Sequence, residues 1–69
     1  MSSILLTVNG EAVELASTTR LDELVARYSS SSKGIAVAVD RQIVPRSAWS
    51  MTLIAPGSSI EIVAAAAGG

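Results

Sequence analysis

The chain has 69 residues, 49% hydrophobic and 16% charged, with five basic against six acidic side chains and a net charge of −1. That length fits one domain burying only about 60% of the surface its unfolded form exposes, and the composition is too apolar for a disordered chain. With no cysteine and no histidine, a disulfide framework, a thiolate nucleophile and an ordinary zinc site are excluded, and the lack of a basic run argues against nucleic acid as a partner.

General acid–base chemistry would fall to six carboxylates, Lys33 and Tyr28, none in a recognisable pair. The chain is therefore not expected to be an enzyme or to bind a metal or a cofactor. Its N-terminus lacks a charged region followed by an apolar stretch, and no run nears the ~20 apolar residues of a membrane span. A soluble, cytoplasmic protein without a membrane partner is the expectation.

The first element is a hairpin. Ile4 to Val8 and Ala12 to Leu15 are β-rich and flank Asn9-Gly10, the dipeptide that type I′ turns favour because both central residues need positive φ. The period then changes. Leu21, Leu24, Val25 and Tyr28 recur at i, i+3, i+4 and i+7, with Asp22, Glu23 and Arg27 on the other side. This predicts an amphipathic helix lying on a sheet and capped by Thr18 or Thr19. Asp22 and Glu23 are adjacent and point in different directions, so they read as solvated helix charges rather than an acidic site.

"SSSSKG", Ser29 to Gly34, reads as a C-cap and surface loop, with Gly34 supplying a left-handed residue and Lys33 an ordinary surface charge. Ile35 to Val39 is a continuous apolar run, as in a central strand buried on both faces. Asp40-Arg41 interrupts it, Ile43-Val44 resumes, and Pro45 removes a ladder donor. A short strand is expected near Thr52 to Ile54. Pro56-Gly57 suits a type II turn, and Trp49 is placed at one end of the core. The last strand alternates, with Ile60, Ile62 and Ala64 on one face and Glu61 and Val63 on the other.

Strand, strand, helix, strand, short strand, strand describes an α+β domain. The candidate is a ubiquitin-like β-grasp fold, a mixed sheet of four or five strands with one helix across it. Residues 1–63 form that domain, and 64–69 an extended or flexible tail. The tail, "VAAAAGG" from Val63, is poorly suited to a terminal helical turn, because isolated short helices are marginal and a β-branched segment precedes it. Six residues beyond Val63 span roughly 20 Å when extended, enough to thread a partner's active site. Alanine and glycine give the thinnest cross-section, with backbone freedom at Gly68 and Gly69. The only reactive group there is the α-carboxylate of Gly69, an anion at neutral pH and so a poor electrophile until another protein activates it, for example as an acyl-adenylate.

The order "VNGE", helix, "IAVAVDRQIVPRSAW", "PGSSIEIV" and a C-terminal "GG" resembles the ThiS family of sulfur carriers from thiamine biosynthesis over essentially the whole chain. The most specific segment is "QIVPRSAW", Gln42 to Trp49. The molybdopterin-synthase small subunits share the fold and the Gly-Gly end but usually lack this segment. The resemblance implies that an adenylating enzyme activates Gly69 with ATP and that a sulfur-donating transferase system makes it a thiocarboxylate. Thiazole synthase then draws sulfur from it. Gly68, Ala67 and Ala66 would be the recognised tail. The chain departs from the family at Ser58-Ser59, where an acidic residue often follows the turn glycine, and at Ala65-Ala66, where a larger residue is usual.

Three other readings stay open at this stage. They are a carrier serving molybdopterin or another pathway, an adaptor whose sheet binds a partner, and a ubiquitin-like tag joined to lysines. Arg41, Arg46 and Trp49 are candidates for a docking face, with Trp49 also a core candidate.

Overall fold

The computed structural model describes residues 2–29 and 34–64. Its elements are β1 (Ser3–Val8), β2 (Glu11–Ala16), α1 (Leu21–Tyr28), β3 (Ile35–Val39), β4 (Gln42–Ile43), a 3₁₀ helix (Arg46–Met51) and β5 (Ser59–Ala64). The strands form one sheet in the order β2-β1-β5-β3-β4. The β1–β5 pair is parallel, and the other three pairs are antiparallel. This is the mixed sheet with one crossing helix that the order of elements predicts.

The first hairpin forms as the turn chemistry requires. Asn9 has φ 52° and Gly10 φ 85°, and Val8 pairs with Glu11 directly across the turn. A Cβ on Gly10 would meet nothing within 4 Å, so glycine serves there for its backbone conformation and not for space. The second hairpin uses the same geometry without glycine. Asp40 and Arg41, at φ 50° and 70°, form a two-residue turn that sets Val39 against Gln42.

Helix α1 buries Leu21, Leu24 and Val25 completely or nearly so, while Tyr28 is 46% exposed. The expected stripe therefore loses its last member. Tyr28 is the final helical residue, and the chain leaves in extended conformation at Ser29, whose N–H bonds to the Val25 carbonyl, so the ring stands half in water. Ser29 is thus the C-cap. Gly34 does take a left-handed φ of 71°, but immediately before β3. Lys33 lies outside the described residues.

The helix start also differs from expectation. Arg20 occupies the cap position, and its backbone N–H donates to Oε1 of Glu23 at 2.8 Å. Thr19 is buried and spans two elements instead, donating its N–H to Ala16 and accepting at its carbonyl from Ile54. The short strand expected near Thr52 to Ile54 shrinks to one bridge, Arg20 to Leu53. The 3₁₀ helix consumes the chain up to Met51, and the few residues left pair with the start of α1, Leu21 N–H reaching the Thr52 carbonyl at 2.9 Å. Pro56 and Gly57 form the type II turn as expected, with Gly57 at φ 77° and Ser58 N–H donating to Ala55.

The core lies between α1 and one sheet face. Leu6 and Val8 of β1, Leu15 of β2, Val37 of β3 and Ile60 of β5 meet Leu21, Leu24, Val25, Trp49 and Ile54. The apolar run in β3 is less enclosed than predicted. Val37 on the core face and Ala38 on the other are both buried, but Ala36 is exposed, and Leu5, Ile43 and Val63 are each more than half exposed on that outer face, which carries no second layer among the described residues. Trp49, 3% exposed, closes one end of the core and donates its Nε1–H to the Val44 carbonyl at 2.9 Å.

A domain of this size is stabilised by about 3–10 kcal/mol in total, so the indole matters. Trp49→Ala is expected to cost about 3–5 kcal/mol and to leave much of the protein unfolded. Trp49→Phe, which keeps the ring but abandons the Val44 carbonyl, should cost about 1–2 kcal/mol. Urea unfolding of both variants measures the difference.

Candidate functional site

The group expected to react is at the C-terminus, so the site begins with what fixes β5. This strand occupies the middle of the sheet. It lies beside β1 only at Thr7–Ser59 and Val8–Ile60, but beside β3 along five rungs from Val39–Ile60 to Ile35–Ala64. Its start is tied down by backbone. Gly57 N–H donates to Leu5 at 2.7 Å and Thr7 N–H to Ser58 at 3.0 Å. The buried Ser58 turns its hydroxyl back onto the Ala55 carbonyl at 2.7 Å.

Two side chains then complete the strand's hydrogen bonding, one from each neighbouring hairpin turn. Asp40 donates its backbone N–H to the Ser59 carbonyl at 2.8 Å and accepts the Ser59 N–H at Oδ1 at 2.9 Å. On the other side Asn9 donates its backbone N–H to the Ile60 carbonyl at 2.8 Å. Its side-chain amide then meets Ile62 twice, Oδ1 accepting the Ile62 N–H at 2.9 Å and Nδ2 donating to the Ile62 carbonyl at 3.2 Å. Residue patterning identifies Asn9 as a turn former and Asp40-Arg41 as a polar break between apolar runs, and misses this second role of both residues. The available signal is a polar dipeptide between apolar runs, which marks the turn but not its long-range partner.

β5 ends at Ala64, paired with Ile35, so the strand takes in the first residue of the expected tail. Ala66, Ala67, Gly68 and Gly69 lie outside the described residues. The arginines of the expected docking face are exposed, Arg41 in the second hairpin turn and Arg46 at the start of the 3₁₀ helix. Trp49 belongs to the core instead, since only 3% of it is exposed. A shallow crevice of about 350 Å³ between α1 and the 3₁₀ helix is lined by Asp22, Val25, Ala26, Ser29, Arg46, Trp49 and Ser50.

Among the described residues no three carboxylates, cysteines or histidines gather as a metal site. No buried side-chain nitrogen or oxygen there lacks a hydrogen-bond partner, and no helix is long and apolar enough to cross a membrane. Glu23 is engaged at the helix start, and Asp22 stands exposed beside it.

The Asp40 clamp is separable from its turn. Asp40→Asn retains an acceptor and tolerates left-handed backbone, and should unfold in urea within about 0.5 kcal/mol of the parent. Asp40→Ala loses the Ser59 bond and adds left-handed strain, and should lose about 1–3 kcal/mol.

Comparison with known proteins accords with this architecture. The model of the ThiS family matches residues 6–69. The sulfur carrier protein ThiS of Escherichia coli (strain K12) is 31% identical over 61 residues, which cover 88% of this chain and 92% of that protein. The crystal structure of thiamine biosynthesis protein ThiS from Geobacter metallireducens superposes with a TM-score of 0.80 at 25% identity, over 96% of this chain and 100% of the other. That likeness establishes the ubiquitin-like β-grasp fold. A family match that begins within β1 and runs to the final glycine, on a sheet of matching fold, places this chain in the ThiS family.

Proposed function

We propose that the chain is a sulfur carrier for the thiazole moiety of thiamine, acting through the α-carboxylate of Gly69. The observation that carries this reading is the family match, which spans residues 6–69. The relative from Escherichia coli bears the name of a sulfur carrier protein. In the proposed sequence a carboxylate oxygen of Gly69 attacks the α-phosphorus of ATP held by an adenylating enzyme, and pyrophosphate leaves. A persulfide on a sulfur-donating transferase then attacks the acyl carbon and AMP departs, leaving an acyl disulfide whose S–S bond a thiol reductant cleaves, the transferase sulfur leaving as a disulfide with that thiol. The terminus is left as a thiocarboxylate from which thiazole synthase draws sulfur.

The carrier's own contribution is geometric. Gly68, Ala67 and Ala66 carry no side chain larger than a methyl, and the strand that leads into them, β5, is held in the middle of the sheet. Small side chains let a partner's active site close around the backbone. ATP belongs to the partner, and the carrier holds no cofactor of its own. The work of all three partners is placed in the cytoplasm.

Intact-mass measurement after incubation with ATP, a sulfur donor and the adenylating enzyme should show one terminal oxygen exchanged for sulfur. Deleting Gly68 and Gly69 should abolish the exchange and leave the fold unaltered by circular dichroism. An adaptor without carrier chemistry would show no exchange in the full chain and keep its partner after the deletion.

A further inference from the structure

The side chain of Asn9 makes contacts that its turn does not require. A type I′ turn asks of its first central residue only a left-handed backbone, and Asn9 meets this with φ 52°. Beyond that, its amide presents a donor and an acceptor together, the same pair a peptide group offers. Both go to one residue, Ile62, at 2.9 and 3.2 Å.

The sheet explains why Ile62 needs them. β1 pairs with β5 only as far as Val8–Ile60, because the chain turns away at Asn9 and Gly10. From Glu61 onward β5 has β3 on one side, with Val37 opposite Ile62, and no backbone strand from the described residues on the other. The polar groups of Ile62 face that open side, and the Asn9 amide occupies the place of the missing rung. Among the described residues it is the hydrogen-bonded contact on the β1 flank nearest to Ala64, the end of the strand.

We infer that Asn9 is a positioning residue for the chemistry at Gly69: its side chain extends the β1 ladder by one rung and so fixes the course of the last residues of β5, from which the chain runs on to Gly69. The inference rests on the carrier reading above. Asn9 is exposed, and hydrogen bonds open to water add little net stability, so the contact acts mainly on direction. An arm rooted at a fixed angle delivers its carboxylate to a docked enzyme's active site more often than one whose root swings, and small misplacements of a reacting group lower the rate steeply. Docking through the rest of the domain is untouched.

Asn9→Gly separates the two roles, since glycine accepts the left-handed turn and has no amide. Asn9→Asp serves as a second variant. It also tolerates the turn, but its carboxylate faces the Ile62 carbonyl without a proton to donate. Two readouts apply to the parent and both variants: amide hydrogen exchange at Ile62, and steady-state ATP–pyrophosphate exchange by the adenylating enzyme with the carrier as varied substrate.

Exchange at Ile62 should accelerate roughly tenfold or more in Asn9→Gly and stay near the parent's in Asn9→Asp, whose carboxylate still accepts the Ile62 N–H, with β1–β2 amides protected in both. The kcat for adenylation should fall by roughly tenfold, with KM for the carrier within about twofold of the parent. Faster exchange with an unchanged kcat would overturn the inference and leave Asn9 a structural residue. So would unaltered protection of Ile62 in Asn9→Gly, or a rise in KM at constant kcat in either variant. If the parent itself supports no pyrophosphate exchange, the carrier reading fails, and the role of Asn9 falls with it. That outcome is read in the parent alone and is not confused with a failure of the variants.

Discussion

Everything in this domain depends on the last strand occupying the middle of the sheet. β1 and β3 do not pair with each other; each pairs with β5, one parallel and one antiparallel. The two hairpins are therefore separate until β5 joins them. Ile60, at 0% exposed, sits at that junction and packs against the residues α1 brings down from above. Without β5 the helix would cover two narrow ribbons, neither wide enough to bury Leu21 and Leu24.

Joining two hairpins through one strand leaves a problem at each end, since the hairpin turns cut the ladders short. Here the turn residues solve it themselves. Asp40 and Asn9 both adopt left-handed backbone, where short polar side chains are tolerated, and both aim those side chains at β5. One residue thus reverses the chain and prolongs the ladder. For a chain with no disulfide and little aromatic mass, this gives order to the strand margins without enlarging the core.

Much of this was legible in the sequence. Asn9-Gly10 announces its hairpin because few other dipeptides satisfy the turn, and Leu21, Leu24 and Val25 announce their helix face by spacing. What was hidden has physical causes. A 3₁₀ helix follows neither the two-residue nor the 3.6-residue period, so Arg46–Met51 had no signature, and the strand expected at Thr52 to Ile54 was an overreading of the apolar residues that follow it. Thr19 has the chemistry of a cap, but its backbone was already committed to Ala16 and Ile54. Ala36 sits in an apolar run yet faces outward, because alanine is small enough to be indifferent to exposure. The Asn9–Ile62 contact joins residues 53 apart, and no local pattern encodes such a pair. The role proposed for the Gly69 carboxylate is the reverse case, resting on sequence and family membership alone.

The central position of β5 also sets the order of events as the chain is made. Synthesis runs from the N-terminus, and the first hairpin, α1 and the second hairpin all precede Ser59. Each has local contacts and can begin to form early, but the sheet closes only when the final strand has been added, a long-range pairing of the kind that folds late. The apolar inner faces of both hairpins stay open to water until then. A chain cut short before β5 is thus a misfolding hazard rather than a weaker version of the same molecule. Completion of the fold reports that the ribosome has already passed the strand from which the arm emerges.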